Sequence, residues 1–169
     1  MRLANMGPMV AYLAPLLAPN LTVVFVGTEP GPESLASGCY YADVRNTFWS
    51  DLHLAGFTPR RFRPCAFREF LELGLGLDDV YGDRRGLKER LERWPPKAIC
   101  FNSKMALERY AGEAIGAQWR GPDAGIWVSV AGADAVWAVP DSSGRAAAFR
   151  DERLSLLTDL RKSIGGGDL

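Results

Sequence analysis

Two short segments carry residue types that could do chemistry. "VVFVGTEPG", Val23 to Gly31, stops a run of β-branched and aromatic residues at a glycine. It then sets one carboxylate, Glu29, ahead of a Pro30-Gly31 turn. Gly27 and Gly31 let the backbone approach a ligand closely. Glu29 is either a solvated turn residue or an acid held at the mouth of a pocket. A phosphate-cradling Walker loop is disfavoured, because no Gly-Lys-Ser/Thr closes the segment. "VPDSSGRAAAF" joins Pro140, Asp141, Ser142, Ser143 and Gly144 to Arg145. Its amides and hydroxyls can grip a phosphate backbone. An ordinary polar turn has the same composition.

The surrounding pattern says what must position these residues. "LTVVFVG", Leu21 to Gly27, reads as a buried parallel strand, and "KAICF", Lys97 to Phe101, as a second short one. "IWVSV" and "AVWAVP" look like two more strands, joined by the turn Gly132-Ala133-Asp134. Helical spacing or stop signals predict helices over Asn46–Phe57, Ala66–Gly74, Leu87–Trp94, Ser103–Gly112 and Phe149–Lys162, with Ser103 as a cap. Strands alternating with helices imply an α/β domain with a mostly parallel sheet. In such sheets ligands bind beyond the carboxyl ends of the strands. "GTEPGPES", "FNSK" and "VPDSSGR" all leave strands in that direction and are the candidate walls of one pocket. One domain is expected over residues 1–164, with a mobile tail over 165–169.

Composition narrows the function classes. The chain has 169 residues, 47% of them hydrophobic, and 20 basic against 20 acidic side chains. That suits one folded domain with a sizeable core. A net charge of zero is a weak composition for a nucleic-acid binder, although a local basic patch can suffice. Cys39, Cys65 and Cys100 are scattered, and His53 is the single histidine. This disfavours a zinc or iron–sulfur site and suits a reducing cytoplasm. The N-terminal apolar run is broken by Pro15 and Pro19 and reads as an amphipathic lead-in that packs on the domain. His53 is expected to be structural, on the apolar face of its helix. The charge-rich stretches Lys88–Arg93 and Arg150–Arg153 are expected to be solvated faces.

Read together, the motifs resemble the uracil-DNA glycosylase superfamily, in particular its mismatch-specific uracil/thymine branch. "VVFVGTEPG" is similar to the first motif, which reads GINPG in that branch. "SGCYYADVRNTFWSDLHLAGFTP", "LELGLGLDDV" and "NSKMALERYAG" resemble the segments that follow. "VPDSSGRAAAF" looks like the second motif. Similarity spans roughly residues 14–162. The resemblance implies a three-layer αβα fold with a short, mostly parallel central sheet. It implies an enzyme that flips uracil, or a related base, out of DNA and hydrolyses the N-glycosidic bond. The partner would be lesion-bearing DNA and the product free uracil. Neither cofactor nor metal is required, no membrane is involved, and the protein would be a monomer acting in the cytoplasm, with the nucleoid. A non-catalytic damage binder on the same fold is one alternative, and an unrelated nucleotide-binding protein another.

The resemblance also assigns roles. Glu29 stands where the branch keeps an asparagine. A carboxylate there can accept a proton from water and stabilise a cationic sugar. Asp79 matches the position that reads the base edge, and Asp78 and Asp79 are further candidates for water activation. Tyr41 takes the place of the stacking aromatic, with Tyr40 as a fallback. Gly27, Thr28, Gly31, Asn46 and Asp141 line the substrate side. Gly31 replaces a bulky tyrosine of the strict uracil enzymes and leaves room for a 5-substituent. Ser34, Lys104, Ser142, Ser143, Gly144 and Arg145 would contact DNA, Arg145 as the wedge that fills the gap left by the flipped base. The connection "YGDRRG" between Val80 and Leu87 is shorter than is usual in the family, which would open the pocket rim or alter DNA contact.

Overall fold

The computed structural model describes residues 12–81 and 84–165. Four parallel strands form the centre: β1 (Val23–Gly27), β2 (Leu75–Asp79), β3 (Ala98–Phe101) and β4 (Ala135–Ala138), in the order β2-β1-β3-β4. Five α-helices accompany them: α1 (Pro32–Ser37), α2 (Phe48–Leu54), α3 (Arg84–Arg93), α4 (Lys104–Ala111) and α5 (Arg150–Ser163). Successive strand residues face opposite sides of a sheet. Val23 and Phe25 therefore enter one core with α2 and α5, while Val24 and Val26 enter another with α3 and α4. The result is a three-layer αβα domain. The register pairs Gly27 with Asp79 and Val26 with both Asp78 and Phe101, so the carboxyl ends finish at one level.

Several local expectations are corrected. Residues 126–130 form no strand. The outer edge of β4 is already taken, because Gly121 N–H donates to Ala138 O (2.7 Å) and Ala138 N–H donates to Gly121 O (3.1 Å). Residues 64–73 form a 3-10 helix rather than an α-helix. Side chains three apart eclipse in that geometry, and Phe67 and Phe70 are the pair it buries. Cys39 and Cys65, read as scattered, are joined in a disulfide, and Cys100 is buried and free. His53 is exposed rather than on an apolar face, and its Nδ1 lies 3.0 Å from Thr58 O. No helix among the described residues is long and apolar enough to cross a membrane. Residues 1–11 of the lead-in, Gly82–Asp83 of the short connection and residues 166–169 of the tail lie outside the described residues.

The largest departure is Arg153. It was expected on a solvated face, yet it is 1% exposed and fully enclosed between layers. Its Nε donates to Asp51 Oδ2 at 2.9 Å, and Asp51 is 0% exposed. Arg150 Nε reaches the other carboxylate oxygen at 2.9 Å, and Thr47 Oγ1 donates to Asp51 Oδ2 at 2.6 Å. Arg153 Nη1 also donates to Asn102 Oδ1 (2.5 Å) and to Pro140 O (2.7 Å). One guanidinium thus ties α2, α5 and the ends of β3 and β4. Removing one member of a buried pair leaves the other charge uncompensated, at about 3–5 kcal/mol. Asp51→Ala is expected to lower unfolding free energy by about that amount in denaturant titration. A loss below about 1 kcal/mol, the range of exposed pairs, would contradict this placement.

Candidate active site

A cleft of about 750 Å³ opens at the carboxyl ends of the strands. The β1 exit supplies Gly27, Thr28, Glu29 and Gly31, and α1 supplies Ser34. The following loop adds Tyr40, Tyr41 and Asn46, and β2 ends in the cleft with Asp79. Asp141, Ser143, Gly144 and Arg145 close the opposite rim. These are most of the residues singled out from sequence, and the three predicted wall segments do meet. Three other candidates do not line the cleft. Asp78 points away from it, Ser142 is 1% exposed and turned inward, and Lys104 lies 3.6 Å from Glu108 on the outside of α4.

Strand periodicity separates the two aspartates. Asp78 shares its face with Val26 and meets α3. Its oxygens accept from Arg90 Nε and Nη2, both at 2.9 Å, so Arg90, on the solvated side of α3 and still half-exposed, also turns its guanidinium onto a buried carboxylate. Asp79 shares the face of Gly27 and turns towards Tyr41. A methyl on Gly27 would overlap Asp79 Oδ1 and stand 2.9 Å from Tyr41 Oη. Glycine is required here by this close approach rather than by its own dihedrals. The Asp79 carboxyl has no donor or ion-pair partner among the described residues. Burial first, then the neighbouring Asp78 and Glu29 charges, push its pKa up to about 7.

Tyr41 is the second unusual residue. Its φ is +53°, in the left-handed region that costs a non-glycine residue about 1–3 kcal/mol. One ring face stacks on Phe48, with centroids 3.8 Å apart and planes at 17°. Its buried hydroxyl has no hydrogen-bond partner among the described residues. Burial and then the Asp79 charge push its pKa well above the ordinary phenol range. The loop that holds it is braced by Ser34, whose Oγ accepts from Ala42 N–H at 3.1 Å, and by Trp49 Nε1 donating to Tyr40 O at 2.9 Å. Ser34 therefore already has a structural bond.

Glu29 is 55% exposed at the cleft mouth, with Arg109 Nη2 of α4 3.9 Å away. Thr28 Oγ1 and Ser103 Oγ, 3.2 Å apart, link the β1 and β3 exits, and Ser103 Oγ caps α4 by accepting from Ala106 N–H. Asn102 Nδ2 donates to Ser142 Oγ at 2.9 Å, fixing the far rim from below. Asp141 Oδ1 accepts from Ser143 N–H at 2.8 Å and shapes that rim. Asn46 Oδ1 accepts from Phe48 N–H at 3.0 Å at the start of α2. Among the described residues no group of His, Cys, Asp and Glu is placed to hold a metal ion. Sequence reading missed Arg45, Asp43, Asn102 and Arg109 as site residues. Only Asn102 carried a signal, its place at a strand exit within "FNSK".

The arrangement offers an aromatic plate (Tyr41), a buried carboxyl group (Asp79) and a carboxylate at the mouth (Glu29), with Glu33, Asp43 and Asp141 also lining the cleft. Comparison with known proteins agrees with this architecture. The solution NMR structure of a "putative Uracil DNA glycosylase" from Methanosarcina acetivorans superposes with a TM-score of 0.56 at 21% identity. The match covers 90% of this chain and 98% of that one, and at this identity it speaks for the fold alone. The model of the uracil DNA glycosylase superfamily matches residues 14–162. With that match over most of its length and with its motifs gathered at one cleft, the chain belongs to the uracil DNA glycosylase superfamily.

Proposed function

We propose that this protein is a monofunctional DNA glycosylase that excises uracil, and related modified or mismatched bases, leaving an abasic site. The observation that carries the reading is the convergence of Glu29, Tyr41 and Asp79 on one cleft. An enzyme acting on a base inside a duplex must extrude it into a pocket. The cleft-facing side of Tyr41 covers the flipped pyrimidine, a stacking worth about 1–3 kcal/mol. As the glycosidic bond breaks, positive charge develops on the sugar and negative charge on the leaving base. Glu29, at the mouth, faces the sugar. It stabilises the cation and takes a proton from the water that adds to the sugar carbon.

Asp79 reads the base edge. An ionised carboxylate only accepts hydrogen bonds, whereas a neutral acid donates and accepts. Uracil presents an imide N–H beside a carbonyl, so the neutral acid is the complementary form. Gly31 leaves open space, since a methyl there would meet only Glu33 Oε2 at 3.9 Å. This supports tolerance of 5-substituted bases, as the resemblance to the mismatch-specific branch suggests. One chain supplies every residue of the cleft, so a monomer suffices.

In single-turnover excision from a uracil oligonucleotide, Glu29→Gln is expected to cost roughly 10²–10⁴-fold. A near wild-type rate would remove Glu29 from the chemistry, and DNA binding without any wild-type cleavage would make the protein a damage binder. The Asp79 pKa of about 7 gives two pH signatures. The neutral form dominates below that value, so uracil excision should fall as pH rises through about 7, and Asp79→Asn should remove that fall. Stability follows the same sign. The folded state holds the proton more tightly than an unperturbed carboxyl at 3.8, so the Asp79 contribution to stability is full below 3.8 and is lost as pH rises through about 7. Thermal unfolding should show Asp79→Asn more stable than wild type above that pH and equal to it below 3.8. Parallel profiles for the two proteins would contradict the assignment.

A further inference from the structure

The loop that carries Tyr41 is tied to the rest of the fold at several points, and one tie is covalent. Two left-handed residues, Gly38 (φ +70°) and Tyr41 (φ +53°), bracket Cys39 and Tyr40. Hydrogen bonds hold this stretch to its neighbours. Ala42 N–H donates to Ser34 Oγ of α1, Trp49 Nε1 of α2 donates to Tyr40 O, and Tyr40 Oη donates to Ala14 O at 3.0 Å. The Cys39–Cys65 disulfide joins the same stretch to the 3-10 helix 64–73, with the two Cα atoms 4.9 Å apart. Beside it Phe67 meets Tyr40 edge-on, with ring centroids 5.4 Å apart. Tyr40 and Tyr41 both line the cleft, so the disulfide enters the chain one residue before the cleft wall.

The two halves of the bond differ in access. Cys39 is 4% exposed, whereas Cys65 is an exposed residue. Exposed disulfides are the labile ones that exchange with external thiols. Exposed arginines at positions 61, 63 and 68 flank Cys65 in the chain, Arg68 with its guanidinium over the Phe67 ring at 4.5 Å. Arg60 is already engaged with Glu69 at 2.5 Å. Cationic surroundings favour the thiolate, the form in which sulfur attacks and is released.

We propose that Cys39–Cys65 is a redox-operated clamp on the base-binding loop, opened by a dithiol reductant at Cys65 and closed again by exchange with a small disulfide. The effect on base capture rests on the glycosylase reading above. A thiolate of the reductant attacks Cys65 Sγ. A new sulfur–sulfur bond forms there, the Cys39–Cys65 bond breaks, and Cys39 leaves as a thiolate and takes up a proton. The second thiol of the reductant then attacks its own bound sulfur and releases Cys65. The protein gains two electrons and two protons, and the reductant becomes a cyclic disulfide. With the clamp open, the loop loses its covalent hold on the 3-10 helix, and the left-handed backbone of Tyr41 relaxes in a share of the molecules. Apparent affinity falls with the share of protein in the competent state. Reduction therefore weakens capture of the extrahelical base and leaves the chemistry of captured substrate untouched.

The test uses the full chain, treated with oxidised glutathione or with dithiothreitol, in single-turnover excision from a single-stranded uracil oligonucleotide. Thiol titration of denatured samples follows the bond, since Cys100 is the remaining free cysteine. Reduction should raise the half-saturating enzyme concentration roughly tenfold and leave the maximal rate within about twofold. Cys65→Ser, a change at an exposed position, should match the reduced protein and ignore the reductant. Hydrogen exchange should quicken more over residues 38–43 than over β1 and β3. A bond that dithiothreitol does not open in the folded protein, or an opened bond with unchanged half-saturation, would overturn the clamp and leave the glycosylase reading intact. Unchanged exchange over residues 38–43 would overturn the clamp whatever the excision result. Absence of excision by both forms would overturn the glycosylase reading and the effect on base capture with it.

Discussion

The buried pair between Asp51 and Arg153 is the constraint on which the rest of the molecule depends. Both charges are removed from water, and such burial is tolerable only when nearly every polar atom finds a partner. The chain meets that demand with Arg150 and Thr47 on the carboxylate side and with Asn102 and Pro140 on the guanidinium side. Each partner belongs to a different part of the fold. Satisfying one ion pair therefore fixes the spacing of two helices and the exits of two strands. Asn102 carries the constraint onward to Ser142 and so to the rim of the cleft. The far wall of the site is thus held from inside the protein, while its outer residues line the cleft.

A second constraint acts at the near wall. The parallel register brings Gly27 and Asp79 side by side at the strand ends, and the missing Cβ of Gly27 makes room for a carboxyl group and a phenol. Period-two alternation then gives two adjacent aspartates opposite fates. Asp78 becomes a structural anion paired with Arg90, and Asp79, without a donor among the described residues, becomes an acid whose pKa burial and then the Asp78 and Glu29 charges raise. Tyr41 accepts a strained backbone to lie against Phe48 and Asp79. Strain of this kind persists only where the surroundings over-determine it, and the loop bonds of Ser34 and Trp49 supply that determination.

Much of this was legible in the sequence because it depends on local pattern. Apolar runs located β1 and β3, glycine and proline stops located most of the helices, and strand exits located the walls of the cleft. Where tertiary partners decide the outcome, local pattern misled. Residues 126–130 have strand composition but find no open edge, since Gly121 occupies it. Arg153 lies in a charged run, and its burial depends on a carboxylate 102 positions away. The Cys39–Cys65 bond likewise joins residues 26 apart that spacing alone does not pair. Asp78 and Asp79 could be told apart only once the register was known. Arg45 carried no signal, because its place on the cleft is a property of the folded turn.

The most direct test of the account is the structure of the Glu29→Gln variant bound to a duplex containing uracil. The account requires the uracil to be extrahelical, lying against the cleft-facing side of Tyr41, with its imide edge on Asp79 and its sugar beside residue 29. An extrahelical uracil held elsewhere, or a duplex that docks on the cleft with its bases fully stacked, would contradict it.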